Sequence, residues 1–207
     1  MQIKTTTEPG RERCIQCRLA VRDCICRDMP AFQMEHKITL LTSKREERII
    51  SNTGRLLRWM LKNVTPVYMG ENGWEEEIKL EIMRPDYTPV ILFPTPPVCY
   101  GQTVVAETGK PLNIIVLDTS WKNARRWLHK PLLLPVKKIG LKTTPPSEYH
   151  LRKHPGQNHL CTFQAVALLM AELRPDGFDA VSLCINEKFK SWVKSLAMER
   201  GLREVWL

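Results

Sequence analysis

Apolar residues occur along the chain in two kinds of pattern, short continuous runs and longer stretches with helical spacing. The continuous runs cover residues 36–42, 64–68, 90–93, 113–117, 132–134 and 136–141. Helical spacing covers residues 45–61, 74–82, 162–170 and 178–200. Short, uninterrupted apolar runs are typical of strands that are buried on both faces, as in a parallel sheet. The pattern therefore predicts an α/β fold, with a mostly parallel sheet flanked by helices.

Polar residues mark where several of these elements begin and end. Residues 51–54 interrupt a stretch of helical spacing, which predicts two helices joined by a loop. In that loop, the backbone N–H groups of residues 52–55 either bind an anionic ligand or mark only a helix boundary. Thr162 is the expected N-cap of a later helix, whose positive end suits a carboxylate or a phosphate. Residues 1–10 are polar and are expected to be loose.

Residues 117–121 connect a predicted buried strand to a predicted helix and carry several reactive side chains. Asp118 follows directly on the run 113–117, so it is expected at the carboxyl end of a strand. Open parallel sheets bind their ligands at this edge. Capping is the alternative, because Asp118 or Ser120 would also satisfy N–H groups at the start of the following helix.

The charge of the chain indicates a kind of partner. The 207 residues carry a formal net charge of +9, and residues 118–160 hold nine Lys and Arg against two acidic residues. Such a concentration beside a candidate site favours an acidic or polyanionic partner, although a solvated basic surface explains it as well.

The chain has no apolar run of ~20 residues and no signal-peptide pattern, so a soluble, cytoplasmic protein without membrane contact is expected. The GxGxxG, P-loop and HExxH patterns are absent, which weakens the commonest nucleotide-binding and metalloprotease interpretations.

Four of the seven cysteines lie within thirteen residues, at Cys14, Cys17, Cys24 and Cys26. Disulfides are rare inside cells, so a disulfide knot is not expected. Four thiolates on two tight turns match a tetrahedral zinc site; a redox pair or four unconnected thiols are the alternatives. So short a segment has no core of its own, and the metal would supply its folding energy. We divide the chain into a tail with a zinc-binding knuckle, residues 1–33, and a catalytic domain, residues 34–207.

Taken in order, the motifs of the chain resemble those of the DTW-domain family of RNA aminocarboxypropyltransferases. The family is named for Asp-x-(Thr/Ser)-Trp, which residues 118–121 match with Ser in the third place. The other matching motifs are the four-cysteine segment that starts at Cys14, Asn52-Thr53-Gly54-Arg55-Leu56, Leu92-Phe93-Pro94, Tyr149-x-Leu151-Arg152 and Cys161-Thr162. Gln164 stands where the family usually has Glu. The resemblance spans residues 14–175 and implies a SPOUT-like domain with a C-terminal trefoil knot.

The resemblance also implies a reaction. Members of the family transfer the 3-amino-3-carboxypropyl group of S-adenosylmethionine (SAM) to N3 of a uridine in RNA and release methylthioadenosine. Members with the four-cysteine N-terminus resemble tRNA-uridine aminocarboxypropyltransferases, which makes tRNA the expected partner. SAM and Zn²⁺ are the expected cofactors, and no obligate protein partner is evident. Asp118 is the expected general base for the N3 proton, and Ser120 offers a hydroxyl. Trp121 either stacks on a flipped base or packs beneath the sheet.

Strand-end geometry, supported by the resemblance, assigns one larger set of residues, and the concentration of basic residues assigns a second. The residues expected to bind SAM are Thr53, Gly54, Leu92, Phe93, Pro94, Leu117, Asp118, Leu151, Cys161 and Thr162. The residues expected to contact RNA are Lys122, Arg125, Arg126, Lys130, Arg152 and Lys153. Two rival functions stay open, a SAM-dependent RNA methyltransferase and a zinc-knuckle RNA-binding protein without catalysis.

Overall fold

The computed structural model describes residues 5–8, 11–26, 29, 31–152, 159–174 and 180–202. The strands are β1 (Thr5–Glu8), β2 (Arg11–Cys14), β3 (Lys37–Thr42), β4 (Val64–Tyr68), β5 (Thr88–Leu92), β6 (Leu112–Leu117) and β7 (Lys137–Ile139). The helices are α1 (Lys44–Arg48), α2 (Gly54–Met60), α3 (Trp74–Ile82), α4 (Gly101–Thr108), α5 (Trp121–Leu128), α6 (Thr162–Leu173) and α7 (Ala180–Glu199), with a short 3₁₀-helix at Val21–Asp23.

Strands β3 to β7 form one parallel sheet in the order β4-β3-β6-β5-β7. β3 and β6 pair near the middle, with Ile38 opposite Ile114, and every residue of both strands is buried. Burial on both faces explains why apolar residues dominate these strands without regular alternation. The predicted α/β fold with a mostly parallel sheet is confirmed, and the trefoil knot stays a prediction.

Helices cover both faces of this sheet, so the core has two layers. Successive strand residues point to opposite faces. Ile114 and Val116 therefore pack with α2, α4, α6 and α7, whereas Ile115 and Leu117 pack with α3 and α5. The predicted apolar face of α7 is confirmed, because its four residues are all buried in the first layer: Phe189, Trp192, Val193 and Leu196. Among the described residues, no helix combines the length and the apolar character that crossing a membrane requires.

Three segments differ from the prediction. The loose segment expected over residues 1–10 is wrong for residues 5–8, which pair antiparallel with β2 and include three consecutive threonines that favour extended backbone. Residues 132–134 form a turn and not a strand, because Pro131 and Pro135 flank them and remove two backbone donors. The pattern gave no sign of α4, which starts at a glycine and has β-branched Val104 and Val105 as its large apolar residues.

The strand order places a crevice at one edge of the sheet. In the sheet, β4 lies to one side of β3, whereas β6, β5 and β7 lie to its other side. The strand order therefore reverses direction between β3 and β6. Ligands of open parallel sheets bind at the carboxyl ends of the strands that flank such a reversal. The backbone N–H of Asp118 donates to the carbonyl of Leu41 over 2.8 Å, which holds the first residue after β6 against the end of β3.

Candidate active site and metal centre

A cavity of about 580 Å³ lies at this edge of the sheet. Its size is within the range of ~300–1,000 Å³ that small-molecule sites occupy. Predicted site residues that line it are Thr53, Leu92, Phe93, Pro94, Leu117, Asp118, Ser120, Trp121, Lys122, Arg152, Cys161 and Thr162. Gly54 and Leu151 do not line it. Gly54 lies behind Asp118, and Leu151 packs against the core layer that contains α6 and α7. The strand-end geometry therefore brings together most of the residues that the motifs single out.

Asp118 is the buried centre of this edge, with a relative exposure of 3%. Its Oδ2 accepts hydrogen bonds from Asn52 Nδ2 at 2.8 Å and from Thr42 Oγ1 at 3.2 Å. Its Oδ1 accepts one from Thr162 Oγ1 at 2.8 Å. One carboxylate thus joins the end of β3, the loop before α2, the end of β6 and the start of α6.

Gly54 is the reason that α2 can approach this carboxylate so closely. A Cβ atom on Gly54 would lie 2.4 Å from Cγ of Asp118 and 2.5 and 2.6 Å from its two oxygens. Those distances are shorter than any van der Waals contact, so a larger residue would displace the carboxylate. Gly54 therefore packs against Asp118, and its predicted contact with SAM stays a prediction.

The loop before α2 is closed by its own hydrogen bonds. The side-chain oxygen of Asn52 accepts from Arg55 N at 3.1 Å, and Leu56 N donates to the carbonyl of Thr53 at 3.2 Å. These bonds engage N–H groups of the first helical turn and favour the helix-boundary interpretation over anion binding. Burial lowers the pKa of Arg55 to about 10, so this guanidinium, which interacts electrostatically with Asp118, stays cationic at neutral pH.

The start of α6 forms the opposite wall. The prediction of Thr162 as an N-cap is wrong by one residue: Cys161 is the N-cap, and Thr162 opens the helix with its hydroxyl directed to Asp118. Phe163 N donates to Thr53 Oγ1 at 3.4 Å, which ties α6 to the loop before α2. Burial raises the pKa of Cys161 to about 11, so this thiol is neutral at neutral pH.

Ser120, and not Asp118, caps the helix that follows β6. Ser120 is the N-cap of α5, and its hydroxyl accepts from Asn123 N at 3.3 Å. Ser120 is also exposed and lines the cavity, so its hydroxyl is within reach of a ligand there. Within the described part of the chain, the carboxylate of Asp118 makes no hydrogen bond to α5 and instead faces β3, the loop before α2 and the start of α6.

Trp121 lies in the cavity wall at the start of α5. It is half-buried, and its ring centroid is 5.6 Å from that of Phe93 and 4.6 Å from that of His159. Trp127 on the same helix instead packs in the core beneath the sheet. Of the two tryptophans, Trp121 therefore has the open aromatic surface that a stacked base requires. His159 had no specific signal in the sequence beyond its place in a basic, His-rich segment.

Basic residues surround the mouth of the cavity. Lys122, Arg125, Arg126 and Lys130 are exposed on or just after α5. Arg152 is half-buried and pairs with Glu46 at 3.1 Å, which fixes it at the cavity wall. Lys153 lies outside the described residues.

Several residues that line the cavity were absent from the predicted set. Tyr149 is buried, its hydroxyl donates to the carbonyl of Ser51, and burial raises its pKa. Its motif with Arg152 was visible in the sequence, but nothing indicated which of its side chains reached the cavity. Gly140, Val98 and Leu160 also line the wall. A Cβ on Gly140 would lie 2.7 Å from Val98 Cγ1, so a larger residue there would displace the exposed Val98 side chain.

The four clustered cysteines converge in space. All four sulfur atoms lie within 4.8 Å of one another, with 3.4 Å between Cys14 and Cys26 and 3.8 Å between Cys17 and Cys24. A tetrahedral zinc ion with Zn–S bonds of ~2.3 Å needs sulfurs ~3.8 Å apart, so the donor set and its spacing fit this metal. A hydrogen bond from Cys26 holds the pKa of Cys17 below the usual range of a thiol, which favours the thiolate form that binds zinc.

The cysteine knuckle, residues 14–26, docks on the C-terminal helix. Trp192 Nε1 donates to the carbonyl of Cys17 at 2.8 Å. The two carboxylate oxygens of Glu199 accept from Ala20 N and from Arg13, each at 2.7 Å. Three of the four cysteines are buried, in the same layer of core that holds α7.

Comparisons with known proteins identify the family of the chain. A family model described as the DTW domain matches residues 11–198. The tRNA-uridine aminocarboxypropyltransferase 2 of Macaca fascicularis is 22% identical over 179 residues, which are 83% of this chain and 60% of that protein. The protein of the same name from Mus musculus is 23% identical over 183 residues, 86% of this chain and 59% of that protein. The chain thus spans about 60% of the length of these curated relatives. No solved structure matches it significantly.

Proposed function

The chain belongs to the DTW domain family, and from that membership we propose that it transfers the 3-amino-3-carboxypropyl group of SAM to N3 of a uridine in tRNA. The observation that carries the proposal is the cavity of about 580 Å³, in which a buried carboxylate, aromatic rings and basic residues meet at the carboxyl edge of a parallel sheet. This combination suits a reaction between a sulfonium donor and a nucleobase on a polyanion.

Asp118 is the proposed general base. Uridine N3 carries a proton and becomes a nucleophile when that proton leaves, so a carboxylate beside the bound base accelerates attack. The proton moves from N3 to the carboxylate, the bond from N3 to the transferred carbon forms, and the bond from that carbon to sulfur breaks, with its electron pair going to methylthioadenosine. SAM supplies the activated carbon, and the protein's share of the work is to align the two reactants and accept the proton.

Trp121 and Phe93 are the proposed aromatic contacts of the flat groups that enter the cavity. Both rings line it, and they lie in tilted contact with each other. Stacking on such rings holds a base that has been turned out of an RNA loop. The hydroxyl of Ser120 is the proposed polar contact at the same mouth, available to a ligand while it caps α5.

Lys122, Arg125, Arg126 and Lys130 are the proposed contacts to the phosphate backbone of tRNA. Their exposed positions on α5 and just after it place positive charge beside the cavity mouth. Phosphate contacts orient a nucleic acid without reading its sequence. Arg152 and Lys153 extend this proposed surface.

The cysteine knuckle is proposed to bind one zinc ion in a structural site. Its four ligands would fill the tetrahedron and leave no open position for a substrate. The metal would hold the knuckle in the conformation that docks on α7, and no part of the transfer reaction depends on it directly.

Mass spectrometry of tRNA nucleosides, before and after incubation with the protein and SAM, tests the proposal. The donor is labelled in two separate samples, in the aminocarboxypropyl chain and in the methyl group. Uridine that gains the label of the aminocarboxypropyl chain supports the proposed transfer. Gain of the methyl label would establish the methyltransferase instead, and tRNA that binds without any new nucleoside would establish an RNA-binding protein without catalysis.

A further inference from the structure

We infer that Asn52 is a positioning residue for Asp118, which fixes Oδ2 of the carboxylate and leaves Oδ1 as the oxygen that serves the cavity. The inference rests on the proposed function, because it assigns a role within the same site. It concerns a side chain that has no contact with the cavity itself, since Asn52 is 2% exposed and does not line it.

The two oxygens of Asp118 have different surroundings. Oδ2 accepts from Asn52 at 2.8 Å and from Thr42 at 3.2 Å, and both donors are buried away from the cavity. Oδ1 accepts from Thr162 at 2.8 Å, and Thr162 lines the cavity. The Thr42 hydroxyl lies equally close, at 3.2 Å, to the backbone carbonyl oxygen of Asp118, so Asn52 is the donor committed to Oδ2. Each oxygen of a carboxylate has about two lone-pair sites, and Oδ1 keeps one beyond the bond from Thr162. The free site therefore belongs to the oxygen on the cavity side.

The orientation of the Asn52 amide is set by a second bond. Its oxygen accepts from Arg55 N at 3.1 Å, and an oxygen is required there because the partner is a donor. The amide nitrogen must then face Asp118. The backbone N–H of Asn52 donates to the carbonyl of Ile49 at 3.0 Å, so the backbone of this residue is held as well.

The substitution Asn52→Asp keeps one hydrogen bond of this amide, the one from Arg55 N, and removes the other, to Asp118. A carboxylate at position 52 still accepts from Arg55 N, so the start of α2 is kept. It removes the donor to Asp118 and puts two carboxylates within hydrogen-bond distance, where they share one proton. The other ionisable groups that face Asp118 are Arg55 from α2 and Cys161 before α6, and neither is changed.

The expected result is a change in the pH dependence of transfer. The shared proton blocks the base up to a higher pH, so the acidic limb of the rate profile moves upward by about one pH unit or more. Transfer at pH 7 falls about tenfold or more, because the carboxylate also loses its fixed orientation. A purely structural Asn52 would lower stability and leave that limb where it is in the wild-type protein.

A second readout does not depend on activity. The shared proton is bound more tightly in the folded variant than in the unfolded chain, so its contribution to stability is present at low pH and is lost as pH rises. The loss of unfolding free energy relative to wild type should therefore grow between about pH 4 and pH 8. A loss that is the same at every pH would overturn the contact itself.

Asn113→Asp is the matched control. Asn113 is equally buried, donates to Glu81, and lies on β6 about 17 Å from Asp118 along the strand. Glu81 is paired with Lys37 and Arg84, and this group of charges is remote from Asp118. Asn113→Asp should therefore lower stability and leave the acidic limb of transfer unmoved. Thr42→Val, which introduces no charge, should slow transfer several-fold by removing the weaker bond to Oδ2.

The outcomes separate the inference from the proposed function. Wild-type protein that forms no product overturns the proposed function, and the stability readout still decides whether Asn52 holds Asp118. Wild-type transfer with an unshifted limb in Asn52→Asp overturns the positioning role while the proposed function stands. A shifted limb in Asn52→Asp with an unshifted limb in Asn113→Asp supports both.

Discussion

The cysteine knuckle and the surroundings of Asp118 are two compact clusters of polar side chains that are assembled in opposite ways. The four cysteines come from thirteen consecutive residues, whereas the partners of Asp118 come from positions 42, 52 and 162. The first cluster takes its shape from two tight turns and, we propose, from a metal. The second exists only when the sheet and the helices α2 and α6 are already packed. A change in the knuckle should therefore act on one part of the molecule, and a change near Asp118 should act on chemistry and packing together.

Asp118→Asn is expected to have the largest effect on activity. Asparagine keeps the size of the side chain and removes its basicity, so transfer to uridine should fall by about 10²- to 10⁴-fold in a steady-state assay. The new amide also faces donors that need an acceptor, which costs about 1–3 kcal/mol of stability in a denaturant titration.

Thr42→Val serves as the control for that loss of stability, because it removes one bond to Asp118 and keeps the carboxylate. A folded Asp118→Asn protein with transfer no slower than the Thr42→Val protein would exclude Asp118 as the base. Raising the pH should partly rescue Asp118→Asn, since N3 then ionises without help.

Cys24→Ser is expected to have the largest effect on the knuckle. The protein should purify with about one zinc per chain, and the variant should lose it, because three thiolates and a hydroxyl hold zinc weakly. Its unfolding free energy should fall by about 3 kcal/mol, or roughly 6–12 °C in the melting temperature. Metal analysis and calorimetry measure both quantities.

Cys184→Ser, at a half-buried cysteine of α7 outside the cluster, should keep the zinc. Zinc retained in Cys24→Ser, or absent from the wild-type protein, would show that the sulfurs are not a metal site.

Gly54→Ala tests the packing beside Asp118 without changing a polar group. The added methyl group would lie 2.4 Å from Asp118 Cγ, in a region where the carboxylate is held by three donors. We expect a loss of about 1–3 kcal/mol of stability, measured by denaturant titration, and slower transfer.

Gly101→Ala is the comparison variant, because Gly101 likewise opens a helix and a Cβ there would first meet the end of the Leu173 side chain at 3.0 Å. If both substitutions lower the unfolding free energy equally, the side chains around Asp118 accommodate an added methyl group as readily as those around Gly101.

Arg125→Ala and Arg126→Ala should have the smallest effects. Each removes one proposed phosphate contact, so tRNA affinity should fall several-fold and the slope of log affinity against log salt should decrease by about one. Fluorescence anisotropy across a salt series measures both. Lys79→Ala, at an exposed lysine of α3, should change neither quantity. Affinity that is insensitive to salt would argue against a surface that follows phosphates.

The contrast between the two clusters also explains which structural features could be predicted from the sequence. The spacing from Cys14 to Cys26 is local, so the convergence of the four sulfurs could be predicted from it. The buried strands could be predicted because their apolar runs are short and continuous. Asp118 was identified by its place after such a strand. Its contact with Asn52 could not be predicted, because it joins residues 66 positions apart and depends on how closely α2 approaches β6. Nothing local distinguishes an asparagine that caps a helix from one that also orients a carboxylate.

The docking of the knuckle on α7 sets an order for events during synthesis. The bonds from Arg13 and Ala20 to Glu199 span 186 and 179 residues. At a translation rate of ~5–20 residues per second, roughly ten to forty seconds separate the synthesis of the knuckle from that of its docking partner. The four cysteines can bind a metal throughout that interval, before any contact with the C-terminal helix exists. With the proposed zinc bound, the metal would hold the knuckle together in the nascent chain until α7 is made.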